Sequence, residues 1–278
     1  MEVNKIYNMD CVEGMAMIKE ESIDMVITSP PYDSLRNYGQ VIKTWSMDKV
    51  KQVSQNLFRV LKQGGVVVWV VGDETAQGTE SMSSFKEAFI FRETGFLLHD
   101  TMIYLKENPC PVGGNKRYYQ SFEYMFVFSK GTPSTFNPLT EKRRNKYNDK
   151  RTKRFKGFQR NKDGIFIAKE VAINAKDPKR RNVWSYSLGQ SDHTGHPAVF
   201  PFRLAYDHIK TWSNCGDIIL DPFIGSGTTA IAASKLGRKY IGFELNKAYF
   251  EKTISRIEEQ TCQQHLFLDE TCQTEIFA

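Results

Sequence analysis

The chain has 278 residues and a net charge of +6, with 40% hydrophobic and 25% charged residues, which suits one large α/β domain or a catalytic domain with a small inserted module. No apolar run is long enough to cross a bilayer, and the residues after Met1 lack the pattern of a signal peptide, so we expect a cytoplasmic protein. The five cysteines are scattered without a CxxC pair, which argues against a disulfide framework and a thiolate zinc site.

The N-terminal part of the sequence alternates strand and helix signals. The predicted strands are Lys5–Asn8, Ile23–Thr28, Val66–Val71, Phe96–Leu105 and Phe122–Phe128. The predicted helices are Cys11–Lys19, Met47–Leu61 and Ser81–Thr94. The run VVVWVV is apolar on both faces, as central parallel strands are, and Gly64-Gly65 is predicted to end the helix before it.

The segment from about residue 133 to residue 185 breaks this alternation and is interpreted as an inserted module. Residues 141–163 contain eleven Lys or Arg and three acidic residues, a net charge of +8 that exceeds the charge of the whole chain. Aromatic residues are scattered among these cations. A block of this kind favours a polyanionic partner, although a solvated surface is the alternative.

After this insert the sequence returns to regular elements. Helices are predicted at Phe200–Trp212, Ser226–Leu236 and Lys247–Glu259, and strands at Asp217–Leu220 and Lys239–Glu244. This β-α-β-α order is half of a doubly wound nucleotide-binding sheet. The last residues, from Cys262 onward, show no clear period.

A glycine loop, DPFIGSGTT at residues 221–229, lies between a predicted strand and a predicted helix. Gly225 and Gly227 let the backbone turn tightly and approach a ligand, which then meets the N–H groups of the helix start. The loop has an acid, Asp221, and lacks the lysine of a phosphate-binding loop, so it suits a zwitterionic ligand better than a triphosphate. Glu244, about twenty residues further on, is placed to bind ribose hydroxyls. A plain turn with a solvated glutamate is the alternative.

A second motif, TSPPY at residues 28–32, follows the buried strand at 23–28. Its two prolines fix the backbone and remove two N–H donors, which leaves the carbonyls of Ser29 and Pro30 as aimed acceptors. By accepting both protons of an exocyclic amine, Ser29 Oγ and the Pro30 carbonyl could draw that nitrogen toward tetrahedral geometry. Tyr32 offers a flat face on which an extruded base can stack. A rigid turn with a packed tyrosine is the alternative.

Together the two motifs resemble those of the DNA amino-methyltransferase family, and their order, with the catalytic motif first, resembles its beta class. HPAVFPFRL at 196–204 is similar to the family segment that closes the methionine end of the cofactor site, and NMDC at 8–11 to the segment that touches the adenine. The resemblance implies S-adenosylmethionine as cofactor and double-stranded DNA as partner. It also leaves open a cognate restriction endonuclease and a homodimer.

The resemblance further implies a seven-stranded, mostly parallel Rossmann-like sheet in permuted order. Catalytic and cofactor parts would span residues 1–132 and 186–278, with target recognition at 133–185. The implied catalytic residues are Ser29, Pro30, Pro31 and Tyr32. The implied cofactor residues are Asp10, Cys11, Thr28, Phe200, Pro201, Asp221, Pro222, Phe223, Gly225, Ser226, Gly227, Thr228, Thr229, Glu244 and Leu245. The candidate DNA contacts are Lys142, Arg143, Arg144, Lys150, Arg151, Lys153, Arg154 and Lys156.

The identity of Ser29 bears on which base is methylated. Family members that act on cytosine N4 usually have Ser at this position, and members that act on adenine N6 usually have Asp. Ser29 therefore favours cytosine by resemblance, with adenine N6 as the alternative, since either side chain can accept an N–H bond. A catalytically inactive DNA-binding protein is the remote alternative.

Two other chemistries fit the sequence less well. A C5-cytosine methyltransferase needs a cysteine nucleophile, and Cys110 follows a proline, but it has no strong base beside it in the sequence and leaves TSPPY without a role. Asp192, His193, His196 and Cys215 match no common metal template, so no metal is expected.

Overall fold

The structure, a computed structural model, describes residues 1–31, 45–109, 116–141, 154–162, 164–172, 178–187 and 201–264. It divides into two compact units. The first comprises Met1–Asn137 and Asn182–Ala278, and the second comprises Pro138–Arg181. Both sequence motifs fall within the first unit.

Twelve strands and six helices are present in the described residues. The strands are β1 Lys5–Tyr7, β2 Ile23–Thr28, β3 Leu61–Val71, β4 Thr75–Ala76, β5 Thr79–Glu80, β6 Leu97–Lys106, β7 Phe122–Ser129, β8 Arg154–Arg160, β9 Phe166–Ala172, β10 Val183–Tyr186, β11 Ile218–Asp221 and β12 Lys239–Phe243. The helices are α1 Cys11–Ala16, α2 Met47–Val60, α3 Ser83–Thr94, α4 Phe202–Trp212, α5 Thr228–Lys235 and α6 Lys247–Gln264.

The first unit is built on an eight-stranded sheet in the order β1-β12-β11-β2-β3-β7-β6-β10. Only β7 runs against the other strands in this sheet of the described residues. The connection β11-α5-β12 moves one way along the sheet and β2-α2-β3 moves the other way. Because such connections are right-handed, α5 and α2 cover opposite faces. The order reverses between β11 and β2, the kind of position at which open α/β sheets bind ligands.

The predicted α/β fold with a mostly parallel sheet is confirmed, and the sheet has one strand more than expected. The eighth strand is β10, which pairs in parallel with β6 at the sheet edge. Its first three residues, 183–185, fall within the segment that is predicted as the insert. Trp184 and Tyr186 alternate with exposed neighbours and are buried, and this burial holds the short strand in place.

The helix predicted at Met47–Leu61 is present and is one residue shorter, but the predicted role of Gly64-Gly65 as its stop is wrong. Helix α2 ends at Val60, and Leu61 is already extended, with ψ of 134°, and pairs with Ile23 of β2. The glycines lie within β3, where Gly64 has φ of +81°. A glycine accommodates this positive φ without the steric strain that a side chain would add, so the pair bends a strand instead of ending a helix.

The core is made by the central strands and the helices that cover them. Val66 to Val71 are all buried, as a strand covered on both faces requires. The indole N–H of Trp69 donates to Glu87 Oε2 of α3 at 2.6 Å, so this buried polar pair is satisfied. The core therefore fixes the strands whose ends carry the two motifs.

The second unit contains a two-stranded antiparallel hairpin of β8 and β9, in register from the pair Arg154–Ala172 to the pair Arg160–Phe166. An isolated antiparallel bridge joins Thr140 to Lys179. Exposed apolar side chains of this unit include Ile165, Phe166 and Ile167. The unit is thus ordered around a hairpin within the part of the insert that is described.

Candidate functional site

The two sequence motifs meet at the point where the strand order reverses. Strands β2 and β11 are parallel neighbours, with Val26 opposite Leu220. At their carboxyl ends the Thr28 hydroxyl donates to Asp221 Oδ1 at 2.6 Å, and both side chains are buried. This bond links positions 193 residues apart. Ser29 and Pro30 continue directly from one strand and the glycine loop from the other.

The Asp221 carboxylate organises the start of the glycine loop. Its Oδ2 accepts the Thr229 hydroxyl at 2.6 Å, and its Oδ1 also accepts the Phe223 N–H at 3.0 Å. Only 2% of Asp221 is exposed. These contacts therefore shape the loop from within, and a direct bond from Asp221 to a ligand stays a prediction.

Burial raises the pKa of Asp221 to about 6, although the Thr229, Thr28 and Phe223 donors oppose the shift. The folded state therefore holds this proton more tightly than the unfolded chain, whose carboxyl titrates near 3.8. The associated stabilisation is complete below the unfolded pKa and is lost as the pH rises through 6. A shift of this size corresponds to about 3 kcal/mol.

We expect the difference in unfolding free energy between the wild type and Asp221→Asn to fall by about 2.4 kcal/mol between pH 4 and pH 7.5, because only the wild type loses the proton. Urea unfolding at each pH measures this difference, in which the other titrating groups largely cancel. The bonds altered by asparagine add an offset that does not depend on pH. A difference that stays constant over this range would contradict the assignment.

The glycine loop turns through two residues that need positive φ. Gly225 has φ of +49° and Gly227 has φ of +82°, and the Gly227 N–H donates to the Ile224 carbonyl at 2.9 Å. Helix α5 begins at Thr228, the residue after Gly227. The adjacent strand also passes close to the loop, since a Cβ on Gly242 would lie 3.0 Å from Ile224. The loop is thus a tight turn that leads into a helix N-terminus.

Glu244 follows β12 and lies beside this loop. Its Oε1 accepts the Asn246 N–H at 2.7 Å. Burial raises the pKa of Glu244 above its usual value. Asn8, after β1, donates its side-chain amide to the carbonyls of Glu244 at 2.8 Å and Leu245 at 3.1 Å. These bonds tie the ends of neighbouring strands β1 and β12 together.

Asp10 lies at the next strand end along the sheet and caps α1. Its Oδ1 accepts the Val12 N–H at 2.8 Å, and Lys49 Nζ of α2 lies 2.9 Å from both carboxylate oxygens. Lys49 was not predicted as a site residue, since nothing in its local sequence indicates a partner 39 positions earlier. The Cys11 side chain is buried in the core and burial raises its pKa to about 12, so Cys11 can meet a ligand only through its backbone.

Several other predicted site residues lie in the described part of the chain. Pro30 and Pro222 are buried, Ser29 and Pro31 are partly buried, and Phe223 packs edge-on against Trp45 with ring centroids 5.3 Å apart. Pro201 is buried and precedes α4, with its carbonyl accepting the Leu204 N–H at 3.0 Å. Ser226 Oγ lies 3.3 Å from Thr228 Oγ1.

Other predicted residues lie outside the described part of the chain. These are Tyr32, Cys110, Lys142, Arg143, Arg144, Lys150, Arg151, Lys153, Asp192, His193, His196 and Phe200. Arg154 and Lys156 lie in β8, where the backbone alone is described. Cys215 donates to the Gly237 carbonyl at 3.4 Å. Among the described residues, no group of three potential metal ligands comes together, and no helix is long and apolar enough to cross a membrane.

The carboxylates at these strand ends, together with the glycine loop, fit S-adenosylmethionine. Adjacent strand ends carry Asp10, Glu244 and Asp221, and the glycine loop between them has no lysine. Carboxylates suit ribose hydroxyls and a positively charged ligand, whereas a triphosphate would meet repulsion. This fold and this site are those expected of an S-adenosylmethionine-dependent methyltransferase, with TSPPY before the glycine loop in the chain.

Comparison with known proteins gives the family. The sequence model of the DNA methylase family N6_N4_Mtase matches residues 23–255. The chain is 46% identical over 244 residues to the orphan methyltransferase M.BamHII of Bacillus amyloliquefaciens, and the match covers 85% of this chain and 89% of that protein. The chain therefore belongs to the DNA methylase family and is a DNA methyltransferase of the N4/N6 class.

Solved structures agree with this assignment. The PvuII DNA methyltransferase, titled cytosine-N4-specific, superposes with a TM-score of 0.68 over 92% of this chain and 89% of its own, at 22% identity. The protein TTHA0409 of Thermus thermophilus, in complex with S-adenosyl-L-methionine, superposes with a TM-score of 0.62 over 92% of this chain and 95% of its own, at 25% identity. The cofactor of this protein is S-adenosylmethionine.

Proposed function

We propose that this protein transfers the methyl group of S-adenosylmethionine to N4 of cytosine in duplex DNA. The observation that carries the proposal is the Thr28–Asp221 bond, which joins the strand before Ser29-Pro30 to the strand before the glycine loop. An amine acceptor and a methyl donor must lie within reach of each other for direct transfer. Adjacent strand ends supply that proximity.

In this proposal the residues of the strand ends hold the cofactor. The glycine loop approaches its methionine part, Glu244 binds the ribose hydroxyls, and Asp10 binds the adenine while Lys49 keeps its carboxylate oriented. Pro201, at the start of α4, closes the methionine end. When bound, the cofactor supplies an electrophilic methyl group on a positively charged sulfur.

Ser29 and Pro30 hold the acceptor nitrogen. The exocyclic amine is a poor nucleophile because its lone pair is delocalised into the base. Ser29 Oγ and the Pro30 carbonyl accept hydrogen bonds from its two N–H groups, which favours tetrahedral geometry and frees the lone pair for attack. As the nitrogen–methyl bond forms and the methyl–sulfur bond breaks, the positive charge passes to the nitrogen and the sulfur leaves as a neutral thioether. The charged nitrogen is far more acidic than the parent amine, so it then loses one proton to solvent. No covalent enzyme intermediate is needed.

Ser29 supports cytosine as the target base. Serine at this position is usual in family members that act on cytosine N4. The PvuII enzyme is itself titled cytosine-N4-specific. At 22% identity, however, its similarity to this chain supports the fold alone. The target must leave the helix to reach the strand ends, so we propose base flipping, with Tyr32 as the stacking surface.

The basic insert supports duplex DNA as the partner. Its Lys and Arg side chains would mostly hold phosphates, and only a few would read base edges. The B. amyloliquefaciens relative is named an orphan methyltransferase, so we favour a solitary enzyme over one paired with a restriction endonuclease.

Nucleoside mass spectrometry of duplex DNA treated with the purified protein and S-adenosylmethionine tests the target base. We expect N4-methylcytosine, and DNA incubated without the cofactor is the control. N6-methyladenine instead would overturn the base assignment and leave the class intact. The absence of both methylated nucleosides, on DNA of high sequence complexity, would contradict the enzymatic proposal.

Replacing Lys153 and Arg154 with glutamine should weaken DNA binding and flatten its salt dependence. If both contact phosphates, the slope of log K against log salt should fall by about 1.8, since each contact contributes about 0.9. Fluorescence anisotropy at several salt concentrations measures the slope. Lys239→Gln is the matched control. This exposed lysine is the first residue of β12, at the end of the strand opposite to the end that leads to Glu244. An unaltered slope in the double variant would place the DNA contacts elsewhere.

A further inference from the structure

Helix α6 holds the back of the glycine loop through one of its faces. Thr253, which is 1% exposed, donates its hydroxyl proton to the Gly225 carbonyl. Arg256 Nη1 donates to the Ser226 carbonyl at 2.8 Å and lies 3.4 Å from Thr228 Oγ1. Residues three apart on a helix share a face, so one surface of α6 binds two successive loop carbonyls.

The fit between helix and loop is too tight for a side chain. A Cβ on Gly227 would lie 2.8 Å from the Thr253 methyl and 3.3 Å from Ile257 Cδ1. Glycine is required here for conformation as well, because Gly227 has φ of +82°. The loop is therefore seated directly on α6 and takes its orientation from it.

The two carbonyl bonds also fix where the loop N–H groups point. In a trans peptide the C=O and the following N–H lie on opposite sides, and the described residues contain no cis bond. With the Gly225 carbonyl turned toward α6, the Ser226 N–H points away from the helix. Without an anchored carbonyl, this peptide plane could rotate freely, because Gly225 tolerates many conformations.

We propose that Thr253 and Arg256 are positioning residues for the cofactor, which act by holding the glycine loop so that the Ser226 N–H faces the ligand. This inference rests on the proposed role of the loop as the seat of the methionine part. Neither residue belongs to either sequence motif. Both act through the loop backbone and need not touch the cofactor.

The two bonds differ in how readily water can replace them. The Thr253 hydroxyl is buried, so its removal leaves the Gly225 carbonyl without a donor. Arg256 borders a cavity of about 330 Å³ that is lined by the loop and by exposed residues of α6, including Lys252 and Ser255. Water from this cavity can satisfy the Ser226 carbonyl, although it holds the peptide less firmly than the guanidinium does.

Calorimetric titration of the full chain with S-adenosylmethionine tests the proposal. We expect Thr253→Val to raise Kd about tenfold and Arg256→Met to raise it about threefold, within the range for one lost hydrogen bond. The KM for the cofactor should rise in parallel, while kcat at saturating cofactor stays near the wild-type value. Thr253→Ser keeps the hydroxyl and should restore wild-type binding. Ser255→Ala is the control, since that hydroxyl bonds to Glu251 in its own helix.

Thermal unfolding of each variant separates positioning from stability. A Thr253→Val protein that melts earlier but binds the cofactor with wild-type Kd would overturn the proposal, as would a Thr253→Ser protein as weak as Thr253→Val. If Thr253→Val does not fold, the cofactor Kd of Arg256→Met and of Thr253→Ser is compared with that of the wild type instead. Failure of the wild type to bind the cofactor would be a different result, which overturns the role of the loop itself.

Discussion

Ser29→Ala is expected to lower kcat about a hundredfold, the scale on which one aimed hydrogen-bond partner of a transition state contributes. The amine would lose the acceptor that draws one of its protons out of the plane of the base. The Kd for S-adenosylmethionine should change by less than about twofold, because Ser29 acts on the acceptor and not on the donor. Single-turnover methylation of duplex DNA, with calorimetry for the cofactor, measures both quantities.

Ser22→Ala is the matched control for this experiment. Ser22 lies just before β2, at the opposite end of the strand that leads to Ser29, and its hydroxyl bonds to the Lys19 carbonyl at 2.6 Å. It should therefore retain wild-type turnover. Normal turnover in Ser29→Ala would refute the proposed role of the hydroxyl. A large loss of cofactor affinity would show that Ser29 acts on the other half of the site.

Gly227→Val should abolish binding of the cofactor, with a Kd raised by more than about a hundredfold, equivalent to about 2.8 kcal/mol. Valine is strained at a φ of +82°, and its Cβ would lie 2.8 Å from the Thr253 methyl. The loop must therefore move off α6 or unwind the first turn of α5. Either movement displaces the N–H groups that meet the ligand.

Gly216→Val separates crowding from backbone strain. Gly216 has φ of +85°, close to that of Gly227, but an added Cβ there meets nothing within 4 Å. This control should lose some thermal stability and keep the wild-type Kd. Circular dichroism tests whether both variants fold. If Gly227→Val does not fold, Gly227→Ala replaces it. An unchanged Kd in a folded Gly227 variant would count against the cofactor loop.

Most elements of the fold were predictable from local patterns. The run VVVWVV predicted the central strand, and its residues are all buried. Turn chemistry likewise predicted the strand-loop-helix around Gly225 and Gly227, which both have positive φ. Local pattern failed at Gly64-Gly65, because a glycine pair serves equally well as a helix stop or as a bend within a strand. The choice was made by pairing of Leu61 with Ile23.

The sequence by itself determined which motifs this protein carries and where they fall: TSPPY after one strand, and a glycine turn with nearby carboxylates after another. Only the tertiary structure decided which side chains form hydrogen bonds with these groups. Thr28 donates to Asp221, Lys49 donates to Asp10, and Thr253 and Arg256 donate to carbonyls of the glycine loop. The reason is physical. Turn geometry and hydrophobic periodicity depend on a few consecutive residues, so a short stretch of sequence predicts them. A contact between distant positions depends instead on which strands become neighbours in the sheet.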